Sequence, residues 1–137
     1  DHHRGRDVLA HAFEAALDPA TVAGDRDLLF QMVANLLDNA LKFAPPGSSV
    51  QVRTQCLAGK SRLLVSDRGP GVPAAERERV FDRFYRVERS RHAPGSGLGL
   101  ALVKAVVEHH RGTIRLEDAT PGLRVVAELP AADSRTP

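Results

Sequence analysis

The sequence predicts an α+β fold, a two-layer α/β sandwich with helices on one face of a mixed, mostly antiparallel sheet. Three observations carry that prediction. Two long segments, from Asp25 to Phe43 and from Leu98 to His110, repeat apolar residues at helical spacing. Four runs, Ser49 to Leu57, Arg62 to Ser66, Thr113 to Glu117 and Leu123 to Leu129, alternate apolar and polar residues as half-buried strands do. Those runs come in pairs around short turns, Ala58-Gly59-Lys60 and Thr120-Pro121-Gly122, the pattern of hairpins.

Taken in order, residues 6 to 17 read equally as a short helix or a strand, and Asp18-Pro19 breaks the run. Thr21 to Asp25 reads as a short second strand leading into the first long helix, which either Asp25 or Asp27 can cap. Along that helix Leu29, Val33, Leu36, Leu37 and Ala40 form the apolar stripe, and Ala44-Pro45-Pro46-Gly47 ends it. Pro73 to Arg79 opens with proline at a first helical position and carries acids and bases three and four apart, so a short helix is expected. Residues 86 to 96, basic and then rich in Pro and Gly, read as a loop. The second long helix offers Leu98, Leu102, Val106 and His109, or Leu102, Ala105 and Val106, as its stripe, and Gly112 ends it.

With 137 residues the chain suits one domain with an ordinary core, expected over about residues 21–130 within a single domain of 1–137. A net charge of +2 is too small to argue for nucleic acid or a membrane surface. The lone Cys56 cannot close an internal disulfide and sits in a strand-like run, as a small core or half-buried residue. No apolar run is long enough to span a bilayer, and no signal peptide is recognisable.

Chemistry concentrates in three places. On the first helix Asn35, Asn39 and Lys42 share one face, so two amide oxygens stand one turn apart with an ammonium beyond them. Hard divalent cations take few protein oxygens and share the rest with water and phosphate, and a lysine nearby is a point charge for phosphate. Alone, the arrangement is better read as a solvated polar face on an amphipathic helix. Asp67-x-Gly69-x-Gly71 follows a strand. Its carboxylate can accept from an exocyclic amine, and its glycines admit a flat ring close to the backbone. Alone, it is an Asp-Gly turn. Gly95-Ser96-Gly97-Leu98-Gly99 opens the second helix, whose first N–H groups face anions. Alone, a short glycine pattern is weak and is neither a Walker nor a Rossmann motif.

Together, Asn35-Leu36-Leu37-Asp38-Asn39-Ala40-Leu41-Lys42-Phe43, Asp67-Arg68-Gly69-Pro70-Gly71-Val72-Pro73, Val80-Phe81-Asp82-Arg83-Phe84-Tyr85-Arg86 and Gly95-Ser96-Gly97-Leu98-Gly99-Leu100 closely resemble the four sequence boxes of the catalytic ATP-binding domain of bacterial sensor histidine kinases. The match runs from about Thr21 to Pro130. That domain belongs to a superfamily shared with DNA gyrase, MutL and a class of chaperone ATPases, and has the Bergerat-type α/β sandwich.

The resemblance implies ATP and Mg²⁺ as cofactors. Asn39, with Asn35 second to it, would hold the metal. Lys42 would contact phosphate, and Phe43 would pack on the nucleotide. Asp67 would accept the adenine amine in a pocket shaped by Gly69, Gly71 and Val72. Arg86 and Arg91 would reach phosphate from the lid, and Gly95, Ser96, Gly97, Leu98 and Gly99 would form the phosphate-side lid. Leu100 would line the adenine side. Relatives that hydrolyse ATP, and serine kinases of the superfamily, carry a Glu base where Asn35 stands here. The resemblance is therefore to the branch whose phospho-acceptor, a His on a separate dimerisation domain, brings its own base. None of His2, His3, His11, His92, His109 or His110 sits in an acceptor setting, so that domain is expected to be absent from the chain and all six are read as structural or surface residues. The implied partners are ATP, that dimerisation domain and a response-regulator receiver domain, in a cytoplasmic part of a membrane-anchored sensor. A stand-alone ATPase switch and a nucleotide-binding module without transfer activity are the alternatives. Where many members carry Thr in the last strand, this chain has Leu123-Arg124-Val125.

Overall fold

The computed structural model describes residues 12–17, 20–82 and 99–132. Five strands form one sheet: β1 (Ala12–Leu17), β2 (Ser49–Leu57), β3 (Lys60–Ser66), β4 (Thr113–Asp118) and β5 (Leu123–Pro130). Their order is β1-β2-β3-β5-β4, with β1 parallel to β2 and the other pairs antiparallel. A parallel pair needs a crossover, and helix α1 (Arg26–Phe43) supplies it. Helix α2 (Gly99–His109) precedes the β4–β5 hairpin.

The two helices and one sheet face enclose the core. On β5, Leu123, Val125, Ala127 and Leu129 point into it, joined by Val65 and Val50 from β3 and β2. The opposite face carries Leu64 and the buried Val126 at its centre and is otherwise largely polar. Arg62 pairs with Glu128 at 2.8 Å, and Arg115 and Arg124 pair with Glu117 at 2.8 and 3.4 Å. The hydrogen bond and charge of Arg115 hold the Glu117 carboxyl below its usual range.

Helix α1 begins where Asp25 Oδ1 accepts from the Leu28 N–H at 3.0 Å, so Asp25 rather than Asp27 is the cap. Its most buried line is Met32, Leu36 and Ala40, with Leu29, Val33 and Leu37 flanking it. The stripe expected from the sequence thus sits slightly off the true centre, which Met32 occupies. In α2 the correction is larger. Val103 and Val107 are fully buried, with Leu100 and Val106 beside them. Ala105 and His109 are exposed. A helix that is apolar on most sides leaves its core face undecided until a partner helix selects it, and here α1 does so.

Other expectations resolve as follows. The ambiguous segment is a strand over Ala12–Leu17, and residues 6–11 lie outside the described residues. Thr21 to Asp25 is a connection, not a strand, because β1 already occupies the place beside β2. The Thr21 carbonyl instead accepts from Ser61 Oγ at 2.7 Å and from the Ala132 N–H at 2.9 Å. The helix expected after Pro73 is two 3-10 turns, Ala74–Glu76 and Arg79–Phe81. The tighter winding turns Val80 into the core, while Arg77 Nε donates to the Val72 carbonyl at 3.2 Å. Cys56 is exposed, since it lies at the hairpin end of β2 beyond the helices' cover. At the end of α2 it is Arg111, with φ 64°, that takes the left-handed conformation. Gly112 is required for space, as a Cβ there would stand 2.3 Å from the Glu128 carbonyl oxygen.

Candidate functional site

Asp67 lies just past the end of β3 and is 5% exposed. Its N–H donates to the Leu123 carbonyl at 3.0 Å, which carries the β3–β5 pairing one step beyond the sheet. Its Oδ1 accepts from the Gly69 N–H at 2.7 Å and from the Leu123 N–H at 3.4 Å. Burial pushes the carboxyl above its usual range, and these two N–H groups pull it back down. Among the described residues, the carboxylate is thus held in one orientation by backbone N–H groups.

Two chain segments close on this carboxylate. The end of α1 approaches so tightly that a Cβ on Gly69 would stand 2.3 Å from the Phe43 carbonyl oxygen and 3.0 Å from Asp67 Oδ1. From the other side comes the β4–β5 turn, in which the Ala119 N–H donates to the Gly122 carbonyl at 3.0 Å. A Cβ on Gly122 would stand 1.9 Å from the Asp67 carbonyl oxygen, and one on Gly71 would stand 3.2 Å from the Gly122 carbonyl oxygen. The end of the asparagine helix and the Asp67 loop are therefore adjacent.

On α1, Asn35 and Asn39 are half-buried one turn apart. Lys42 pairs with Asp38 at 3.2 Å, so its ammonium has an exposed carboxylate as its neighbour. Phe43 is half-buried, with its carbonyl over Gly69. Val72 packs against the core, and Leu100, one residue into α2, is a core member. Arg86, Arg91, Gly95, Ser96, Gly97 and Leu98 lie outside the described residues. The sequence reading missed Gly122 and the backbone of Leu123 as partners of Asp67. The Pro121-Gly122 pair signals a turn, but nothing local links that turn to Asp67, which lies 56 positions before Leu123.

The chain belongs to the family described as histidine kinase-, DNA gyrase B- and HSP90-like ATPases, which matches residues 24–133. Within that family it is similar to the signal transduction histidine-protein kinase/phosphatase MprB of Mycolicibacterium vanbaalenii, 54% identical over 111 residues, covering 80% of this chain and 23% of that protein. MprB of Mycobacterium tuberculosis is 50% identical over 120 residues, covering 87% of this chain and 23% of that protein. The chain thus spans about a quarter of the length of these relatives. Among solved structures, a mycobacterial sensor histidine kinase MprB superposes with a TM-score of 0.82 at 42% identity, covering 94% of this chain and 88% of that one. Full-length ShkA in complex with AMPPNP superposes with a TM-score of 0.79 at 28% identity, covering 92% of this chain and 27% of that one. The histidine kinase ATPase-type domain implied by the sequence motifs is therefore what this chain is. Among the described residues no helix is long and apolar enough to cross a membrane.

Proposed function

We propose that this single domain binds Mg-ATP beside the Asp67 loop and the end of α1, and serves in transferring the γ-phosphoryl group to a histidine on a partner dimerisation domain. The observation that carries the reading is the buried Asp67 carboxylate, oriented by the Gly69 and Leu123 N–H groups next to a glycine with no room for a side chain. A fixed acceptor beside bare backbone suits the amine edge of a flat base. The AMPPNP complex of the ShkA neighbour supports the choice of nucleotide.

Asn35 and Asn39 fit a magnesium site of the kind that shares its cation with phosphate. They contribute neutral amide oxygens, and the described residues hold no group of three His, Cys, Asp or Glu that would cage a metal alone. A cation held there would supply charge neutralisation at the phosphates. Lys42, released from Asp38, would add a point charge. Arg86, Arg91 and the Gly95–Gly99 lid belong to the proposal on sequence grounds. Asn35 cannot take a proton at neutral pH, so the acceptor histidine serves as its own nucleophile without a base from this chain. Positioning and charge carry such a transfer. Replacing Asn39 by Ala is expected to weaken Mg-ATP binding about tenfold while changing metal-free nucleotide binding far less, as read by calorimetry with magnesium and with chelator. Equal losses would remove Asn39 from the metal.

The deciding experiment mixes the domain with a purified dimerisation domain and γ-labelled ATP. Acid-labile label in the partner is expected. ATP binding without label would favour a nucleotide-binding module, and multiple-turnover hydrolysis by this chain alone would favour an ATPase switch. A response-regulator receiver domain is then the next acceptor, and use of ATP places the domain on the cytoplasmic side of a sensor.

A further inference from the structure

At the end of the helix pair away from Asp67, the half-buried His110 joins two elements. Its Nδ1 stands 2.8 Å from the Val106 carbonyl, in the last turn of α2. Its Nε2 accepts from the Asp25 N–H at 3.0 Å, at the cap of α1. A carbonyl can only accept and a backbone N–H can only donate, so these partners dictate a neutral ring with its proton on Nδ1. Each partner is a terminal backbone group that its own helix leaves without an intrahelical bond or shares near its end. The connection before α1 is pressed onto the same ring, since a Cβ on Gly24 would stand 2.2 Å from His110 Cδ2. The Asp25 carboxylate is turned to the Leu28 N–H, and the neighbouring His109 ring meets His110 edge-on at 5.1 Å.

We propose that His110, as the Nδ1–H tautomer, is a positioning residue that clasps the start of α1 to the end of α2 and thereby sets how α1 presents Asn35 and Asn39 to the nucleotide. The nucleotide half of this statement rests on the function proposed above. Helix α1 is a single rigid rod from its cap at Asp25 to its end over Gly69. A change in its seating at one end therefore displaces the asparagine face toward the other.

Long-range proton–nitrogen NMR of the ligand-free domain near neutral pH is expected to show His110 protonated on Nδ1 alone. An Nε2–H ring or a doubly protonated one would overturn the clasp. His110→Gln keeps one donor and one acceptor and is expected to bind AMP-PNP within about twofold of wild type. His110→Leu, and Gly24→Ala which displaces the ring without changing it, are expected to weaken binding roughly fivefold at temperatures where both are folded. Backbone amide shifts of Asn35 and Asn39 should move in both variants before any nucleotide is added. Wild-type affinity and unmoved shifts in a folded His110→Leu or Gly24→Ala domain would overturn the positioning role. If wild-type protein binds no AMP-PNP, the nucleotide reading fails by itself, and the tautomer and the ligand-free shifts still judge the clasp. If His110→Leu does not fold, the tautomer, His110→Gln and Gly24→Ala decide.

Discussion

Replacing Asp67 by Asn is expected to weaken nucleotide binding roughly 10–100-fold while leaving the domain at least as stable as wild type at neutral pH. The two effects have one cause. The carboxylate is buried, and its Oδ1 is held by the Gly69 and Leu123 N–H groups. Asn has an oxygen in the same place and keeps both bonds, so the loop has no reason to rearrange. What it loses is the second carboxylate oxygen, which in Asn becomes an NH2 that can only donate, together with the charge that strengthens a bond to an amine on the ligand. The stability side follows from the direction of the shift. Burial raises the Asp67 carboxyl above its ordinary value. Below the ordinary carboxylate value the group is protonated in both states and costs nothing. As pH rises from there through the raised folded value, ionisation favours the unfolded chain, and stability falls. Asn carries no such penalty. Its advantage in thermal melts should therefore be present near neutral pH and vanish in mild acid. Unchanged affinity by calorimetry would take Asp67 out of the binding site, and a large loss of stability at neutral pH would show that the charge itself holds the loop.

Replacing Gly122 by Ala is expected to destabilise the domain by at least about 3 kcal/mol, lowering the melting midpoint by roughly 10 °C, and to abolish nucleotide binding. Gly122 has φ 105°, and its added Cβ would stand 1.9 Å from the Asp67 carbonyl oxygen and 2.8 Å from the Arg68 Cα. Both obstacles are backbone, so no side-chain rotation relieves them. Relief would require the β4–β5 turn to lift away, taking with it the Leu123 groups that bond Asp67. Gly59 is the control. Its φ of 78° is also left-handed, but nothing lies within 4 Å of its added Cβ. Gly59→Ala should cost only about 1 kcal/mol and leave binding intact. Denaturant midpoints for the two variants separate strain in a free turn from collision at the site, and similar values would contradict the close approach.

The elements legible in the sequence share a property: their signals are local. The alternation in Ser49 to Leu57 and Leu123 to Leu129, an aspartate cap at Asp25 or Asp27 and the Pro45-Pro46 stop each depend on a few neighbouring residues. Each element formed where expected. The misplacements were failures of context. The core face of α2 could not be chosen from a helix apolar on several sides, and packing against α1 selected Val103 and Val107 over Ala105 and His109. Thr21 to Asp25 has strand-like residues, but the place beside β2 is taken by β1 and the segment is a connection into α1.

The candidate site divides in the same way. Asn35, Asn39, Asp67 and the glycines after it could be singled out as candidates because their motifs, taken together, resemble those of a known family, although each alone fits a plainer reading. The groups that orient Asp67 could not, since Leu123 contributes only its backbone and Gly122 contributes only the absence of a side chain. His110 passed as an ordinary structural residue, because its role arises from facing a carbonyl and an N–H at once.

By itself, then, the sequence determined the family, the kinds and order of most elements, and which side chains carry charge or amide oxygens, because these are properties of residues and their spacing. Only the tertiary structure decided which backbone groups meet Asp67, how the end of α1 crowds Gly69, and how His110 ties the two helices. Such contacts join residues far apart in the chain, and hydrogen-bond direction and excluded volume there depend on a packing that no local pattern encodes.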